Sequence, residues 1–183
     1  MKYIFSSVKN NCSDSLSILK SEVNIPKKIK KFTYTEIIEV LNKKGEKIPW
    51  GADFSKEQEK KMTELLGEDI FFITEWPTEI RAFYSMPKEN DEKICNAYDL
   101  MYNGLEIASG AQRIHLLDVL NKQLKLHGLD PANFSFYTDA FKMGAPPHAG
   151  FAVGADRLTM QLCGRGNIRE CVLFPRDRNR VTP

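Results

Sequence analysis

Five side chains around one tight-turn signal hold much of the chemical capacity of this sequence. Asn103-Gly104 marks a hairpin, because both residues tolerate positive φ, and about it stand Asp99, Glu106, Ser109, Gln112 and Arg113. A carboxylate set among apolar strand residues suits a magnesium-nucleotide site, where the metal bridges it to phosphates and offsets the cost of burying charge. Strand alternation turns Asp99 away from Tyr98 and Leu100, and groups Glu106 with Ala108 on the face opposite Leu105 and Ile107. On spacing alone a solvated hairpin face is favoured. Ser109-Gly-Ala-Gln-Arg113 adds flexible backbone, an amide and a guanidinium able to hold a carboxylate through two hydrogen bonds. An exposed loop would look the same.

A second stretch, Pro146-Pro-His-Ala-Gly-Phe-Ala-Val-Gly-Ala-Asp-Arg-Leu158, places Gly150, Ala152 and Gly154 at alternate strand positions. Absent side chains admit another backbone or a flat ligand. Arg157 follows at a strand-to-helix junction, beside unpaired helix N–H groups that attract phosphate. Taken alone the pattern is weak, since glycine-rich strands have many causes. His115, His127 and His148 lack metal-ligand spacing and fit surface or supporting positions better than a catalytic base. Cys12, Cys95, Cys163 and Cys171 contain no CxxC pair, so neither a zinc site nor a disulfide framework is expected.

These groups need elements to position them. Tyr3 to Leu19 has apolar residues at helical intervals and predicts one amphipathic helix. Thr33-Tyr-Thr-Glu36 is a capping box opening a second helix that Gly45 stops, and a third runs from Ser55 to Gly67. Strands are predicted at Ile70–Thr74 and Ile80–Met86, separated by Trp76-Pro77, then at Tyr98–Tyr102 and Leu105–Ser109 as an antiparallel hairpin. A fourth helix is predicted from about Ile114 to His127, and the glycine strand feeds a last helix near Leu158–Leu162. The order predicts an α+β domain with an antiparallel sheet flanked by helices.

The chain has 183 residues, enough for one domain with a single core. Its formal net charge of +2 is too mild to point to nucleic acid. No apolar run is long enough to cross a bilayer and no signal-peptide pattern opens the chain, so a cytoplasmic location without membrane partners is expected.

Taken together, the motifs resemble one family. Residues 149 to 162 are similar to motif 3 of the class II aminoacyl-tRNA synthetases. Glu79-Ile-Arg-Ala-Phe-Tyr-Ser-Met-Pro87, Tyr98-Asp-Leu, Glu106-Ile-Ala-Ser-Gly-Ala-Gln-Arg-Ile-His115, His127-Gly-Leu-Asp-Pro131 and Leu173-Phe-Pro-Arg-Asp-Arg-Asn-Arg-Val-Thr-Pro183 resemble the aspartyl enzymes of archaea and eukaryotes. The resemblance covers nearly the whole chain, as the C-terminal portion of a catalytic domain, residues 1–183. It implies ATP-dependent activation of aspartate and transfer to tRNA(Asp), with ATP and Mg2+ as cofactors. Arg157 would hold the γ-phosphate of ATP above the strand that includes Gly154, and Glu106 and Ser109 would hold magnesium with Asp99 as a further acidic partner. Arg113 would pair with the substrate's side-chain carboxylate, with Tyr84, Gln112 and His148 around it. Ala152 and Asp156 stand where the family usually has Gly and Glu. Met1 falls after motif 2, so motif 1, motif 2 and an anticodon-binding domain are not expected within the chain. An exposed sheet edge is expected in their place, together with a complementing segment or a homodimer. The alternative is a non-catalytic paralogue that binds ATP or a synthetase partner.

Overall fold

A computed structural model describes residues 1–182, so Pro183 of the family-like ending lies outside the described residues. Local capping chemistry sets several boundaries. The Thr33 and Glu36 box opens α3 (Tyr34–Lys43), and Ser55 with Gln58 opens α4 (Lys56–Leu66), which ends on Gly67 at φ 63°. The predicted first helix is instead two, α1 (Lys2–Asn11) and α2 (Ser13–Leu19), because the backbone leaves helical geometry at Cys12. The break falls among Asn11, Cys12, Ser13 and Asp14, a run of weak helix formers.

The sheet has five strands in sequence order: β1 (Lys30–Thr33), β2 (Ile70–Pro77), β3 (Ile94–Tyr102), β4 (Leu105–Arg113) and β5 (His148–Val153). It is mixed rather than wholly antiparallel, since β1, which no sequence signal announces, pairs parallel with β2. Pro77 does not separate two strands either. It closes β2, after a shift in register between Thr74 and Trp76 where Glu75 takes φ 58°.

The segment predicted as a strand at Ile80–Met86 is a short 3-10 turn (Thr78–Ile80) followed by an irregular strap. The strap runs along the end of β4 through Met86 N–H to the Gln112 carbonyl and Ile114 N–H to the Tyr84 carbonyl. The next helix, α5 (Leu117–Leu126), starts later than predicted, and α6 (Ser135–Lys142) has no counterpart among the predicted helices. The last, α7 (Ala155–Leu162), follows β5 directly.

Apolar side chains cover both faces of the sheet. Ile37 and Leu41 of α3 and Met62 of α4 pack with Phe71, Ile73, Ala97 and Met101 on one face. Phe5 of α1 and Leu158 and Leu162 of α7 pack with Ile70, Leu100, Tyr102, Ile107 and Ala108 on the other. A third cluster, Ile114, Leu120 and Leu124, binds α5 to α6 through Phe134, Tyr137 and Phe141. β5 lies at the edge of the sheet with Phe151 70% exposed, in keeping with the exposed edge expected from the sequence.

Candidate active site

The hairpin register decides which side chains meet. Asp99 is opposite Ser109, and Met101 is opposite Glu106, because one extra residue is accommodated in β4 between those pairs. The irregularity turns Glu106 and Ser109, three residues apart, to the same face, while Ile107 and Ala108 both enter the core behind. Strict alternation groups Glu106 with Ala108; the bulge separates them. On β5, Ala152 pairs with Ser109, Gly150 with Ala111 and His148 with Arg113, which extends the same face to the sheet edge.

At one end, Arg157 crosses from α7 to Glu106. Its Nη1 donates to the Glu106 carbonyl at 2.9 Å and lies 3.7 Å from Oε1. Burial raises the pKa of Glu106, and Asp99 adds to the rise, against the opposing pull of Arg157 and Arg81. Glu59 of α4 joins this end. Burial, then the neighbouring Glu106, pushes its carboxyl up to about 7.

At the other end stands Arg113. Its guanidinium lies 4.7 Å from the centroid of the Tyr84 ring, and no carboxylate pairs with it among the described residues. A Cβ on Gly150 would come within 2.9 Å of Arg113 Nη2. The absent side chain at Gly150 is thus filled by this guanidinium. At Gly154 a Cβ would make only ordinary contacts with Arg157, the nearest at 3.4 Å, so the missing side chain there is not a steric requirement. Arg81, Tyr84, Ser109, Arg113 and Ala152 line a cavity of about 350 Å³ between the two ends.

The structure brings Glu106, Ser109, Arg113, Tyr84 and Arg157 to one face or its rim, with exposed His148 and Gly154 bordering it on the β5 side. It does not bring Gln112 there. Gln112 accepts from Asn96 Nδ2 at 2.8 Å, on the opposite side of the strand from Arg113. Asp99 is on the site face but committed, since Oδ2 and Oδ1 accept from Nη1 and Nη2 of Arg81 at 2.9 and 2.8 Å. Those bonds leave it a poor metal ligand. Among the described residues, no three His, Cys, Asp or Glu side chains gather to hold a metal by themselves. Glu106, free of short side-chain bonds, is the donor that suits a cation shared with phosphate oxygens.

Two residues of the site carry no local sequence signal. Arg81 sat inside a predicted strand, and Glu59 in the charged face of a helix, where a carboxylate is ordinarily solvated. The Glu79–Pro87 run that supplied Tyr84 also contained Arg81, but its partner Asp99 is 18 residues away and only the fold pairs them.

Comparison with known proteins follows the same lines. Residues 1–178 match the family described as tRNA synthetases class II (D, K and N). The aspartate–tRNA(Asp/Asn) ligase of Methanocaldococcus jannaschii is 52% identical over 180 residues, 98% of this chain and 41% of that protein. Among solved structures, the aspartyl-tRNA synthetase of Entamoeba histolytica superposes with a TM-score of 0.91 at 37% identity, over 98% of this chain and 39% of that one. The asparaginyl-tRNA synthetase of Entamoeba histolytica in complex with asparaginyl-adenylate gives 0.89 at 30% identity, over 99% and 42%. The chain therefore spans about two fifths of the length of the relatives it matches.

Proposed function

We propose that this chain, which belongs to the class II tRNA synthetases (D, K and N), carries the aspartate-binding and γ-phosphate-binding part of an aspartate–tRNA ligase. The observation that carries the reading is Arg113. A guanidinium without an ionic partner among the described residues, backed by an aromatic ring and given room by a glycine, is prepared for a carboxylate. Tyr84 fixes its plane, and His148 borders the same place from β5.

In this reading Arg113 holds the side-chain carboxylate of aspartate, and Arg157 draws the γ-phosphate of ATP toward the Glu106 end. Magnesium held by Glu106, with Ser109 beside it, would neutralise phosphate charge. The α-carboxylate attacks the α-phosphorus in line, the bond to the pyrophosphate oxygen breaks, and aspartyl-adenylate forms. A ribose hydroxyl at the end of tRNA(Asp) then takes the aspartyl group and releases AMP. Positioning and charge neutralisation suffice for the first step, so no general base is required of the chain. Archaeal relatives such as that of Methanocaldococcus jannaschii are aspartate–tRNA(Asp/Asn) ligases, so in this reading the acceptor includes tRNA(Asn) as well. The chain acts as the C-terminal portion of the catalytic domain, with a complementing segment or a second copy along β5. No helix among the described residues is long and apolar enough to cross a membrane, and the reading places the protein in the cytoplasm.

Calorimetric titration with magnesium-ATP and with aspartate tests this. Binding of aspartate that Arg113→Ala removes, and of nucleotide that Arg157→Ala removes, is the expected result. A folded chain that binds both ligands equally well without either arginine would refute it.

A further inference from the structure

Arg81 makes more committed contacts than any other residue of the site. It donates to both oxygens of Asp99 and, through Nη2, to Ser109 Oγ at 3.1 Å. Its guanidinium lies 4.9 Å from the centroid of the Trp76 ring, and its carbonyl is 2.9 Å from His127 Nε2. Asp99 is 3% exposed, so its charge is kept in a dry setting by this one partner. Burial works against the charge of Arg81, but the hydrogen bonds to Asp99 and the negative charge of Asp99, Cys95 and Glu106 together hold the group above its ordinary range.

The consequence lies at Ser109. A hydroxyl oxygen that accepts from a guanidinium turns its proton away from that donor. Ser109 and Arg81 both line the cavity that runs to Arg113. A hydroxyl so oriented offers a hydrogen bond to an anionic oxygen there.

We infer that Arg81 is a positioning residue of this site: it is a built-in counter-cation for Asp99 that orients Ser109 as a donor to a ligand carboxylate or phosphate oxygen. The inference rests on the ligand reading above for the identity of the anion, but not for the orientation of Ser109.

The test uses Arg81→Lys, which keeps the charge and loses the two-pronged bond, Ser109→Ala, and the two combined. A paired Arg81→Met/Asp99→Leu variant replaces the buried ion pair with apolar groups and guards against misfolding from an orphaned carboxylate. Without ligand, NMR of the wild-type chain should show slowly exchanging Arg81 guanidinium protons, shifted by the Trp76 ring, and Ser109→Ala should move the Nη2 proton signal. With aspartate and magnesium-ATP, Arg81→Lys and Ser109→Ala should each weaken binding about tenfold. The combination should be no weaker than either single change, since both break one path.

Additive losses, or full affinity in every folded variant, would overturn the inference. So would rapidly exchanging Arg81 guanidinium protons in the wild-type chain, or an Nη2 signal that Ser109→Ala leaves in place. If the wild-type chain bound neither ligand, the functional reading would fall and the NMR result would still decide the role of Arg81.

Discussion

Gly150→Ala separates the site from the fold in a single methyl group. The new Cβ would stand 2.9 Å from Nη2 and 3.2 Å from Nε of Arg113, closer than the group can tolerate without moving. The backbone itself accepts alanine, because Gly150 is not among the glycines at positive φ. The guanidinium must then leave its seat over Tyr84. A charge-assisted hydrogen bond contributes about 1.5–3 kcal/mol. Losing that alignment weakens aspartate binding by roughly 10- to 100-fold, at 1.4 kcal/mol per factor of ten. Meanwhile the substitution lowers unfolded-chain entropy and stabilises by about 0.4–1 kcal/mol, so thermal unfolding should stay level or rise slightly. Calorimetric titration with aspartate, beside a thermal melt of the same sample, reads both quantities. Affinity within twofold of wild type would refute the assignment of Gly150 as the space for Arg113. A large fall in the melting midpoint would show that the glycine serves packing.

Gly110→Ala should behave oppositely, because its Cβ would meet Phe151 Cβ and the Tyr98 ring at 2.8 Å; overpacking of about 1–3 kcal/mol should lower the thermal midpoint by several degrees. Glu59 gives stability a pH dependence. Its carboxyl is raised from 4.5 to about 7 in the fold, so the folded chain keeps a proton that the unfolded chain has released, and stability falls as pH rises through that window. The full shift corresponds to about 3 kcal/mol, which water around a partly exposed group reduces to on the order of 1–2. Urea melts at pH 5 and 8 should show Glu59→Gln more stable than wild type only at the higher value. Tyr34→Phe removes a hydroxyl that donates to the Ala52 carbonyl at 2.6 Å and accepts from Gly51 N–H at 3.1 Å, and should cost about 1–3 kcal/mol in a denaturant melt without changing ligand affinity.

Elements whose signals are local were legible in the sequence. The Thr33 and Ser55 caps, the Gly67 stop and the Asn103-Gly104 turn each depend on residues a few positions apart, and each takes the predicted form. The order of the main helices and strands follows from them. So do the family resemblance, through its ordered motifs, and the nomination of Glu106, Ser109, Arg113, Tyr84 and Arg157.

What tertiary structure decided depends on distant partners. Alternation assigns Glu106 to the wrong set of neighbours because a bulge, set by pairing with β3, resets the faces of β4. Gln112 drops away from the site because its strand face is fixed by the neighbours of Arg113. Ile80–Met86 has the apolar and aromatic content of a strand, yet Arg81 is drawn to Asp99 and the backbone becomes a strap. Gly150 is small for Arg113, 37 residues earlier in the chain, and Arg157 reaches a carbonyl 51 residues away. Short-range hydrogen bonds are available to the chain wherever those residues occur, whereas a buried ion pair, a bulge and a seat for a guanidinium exist only once the sheet has closed.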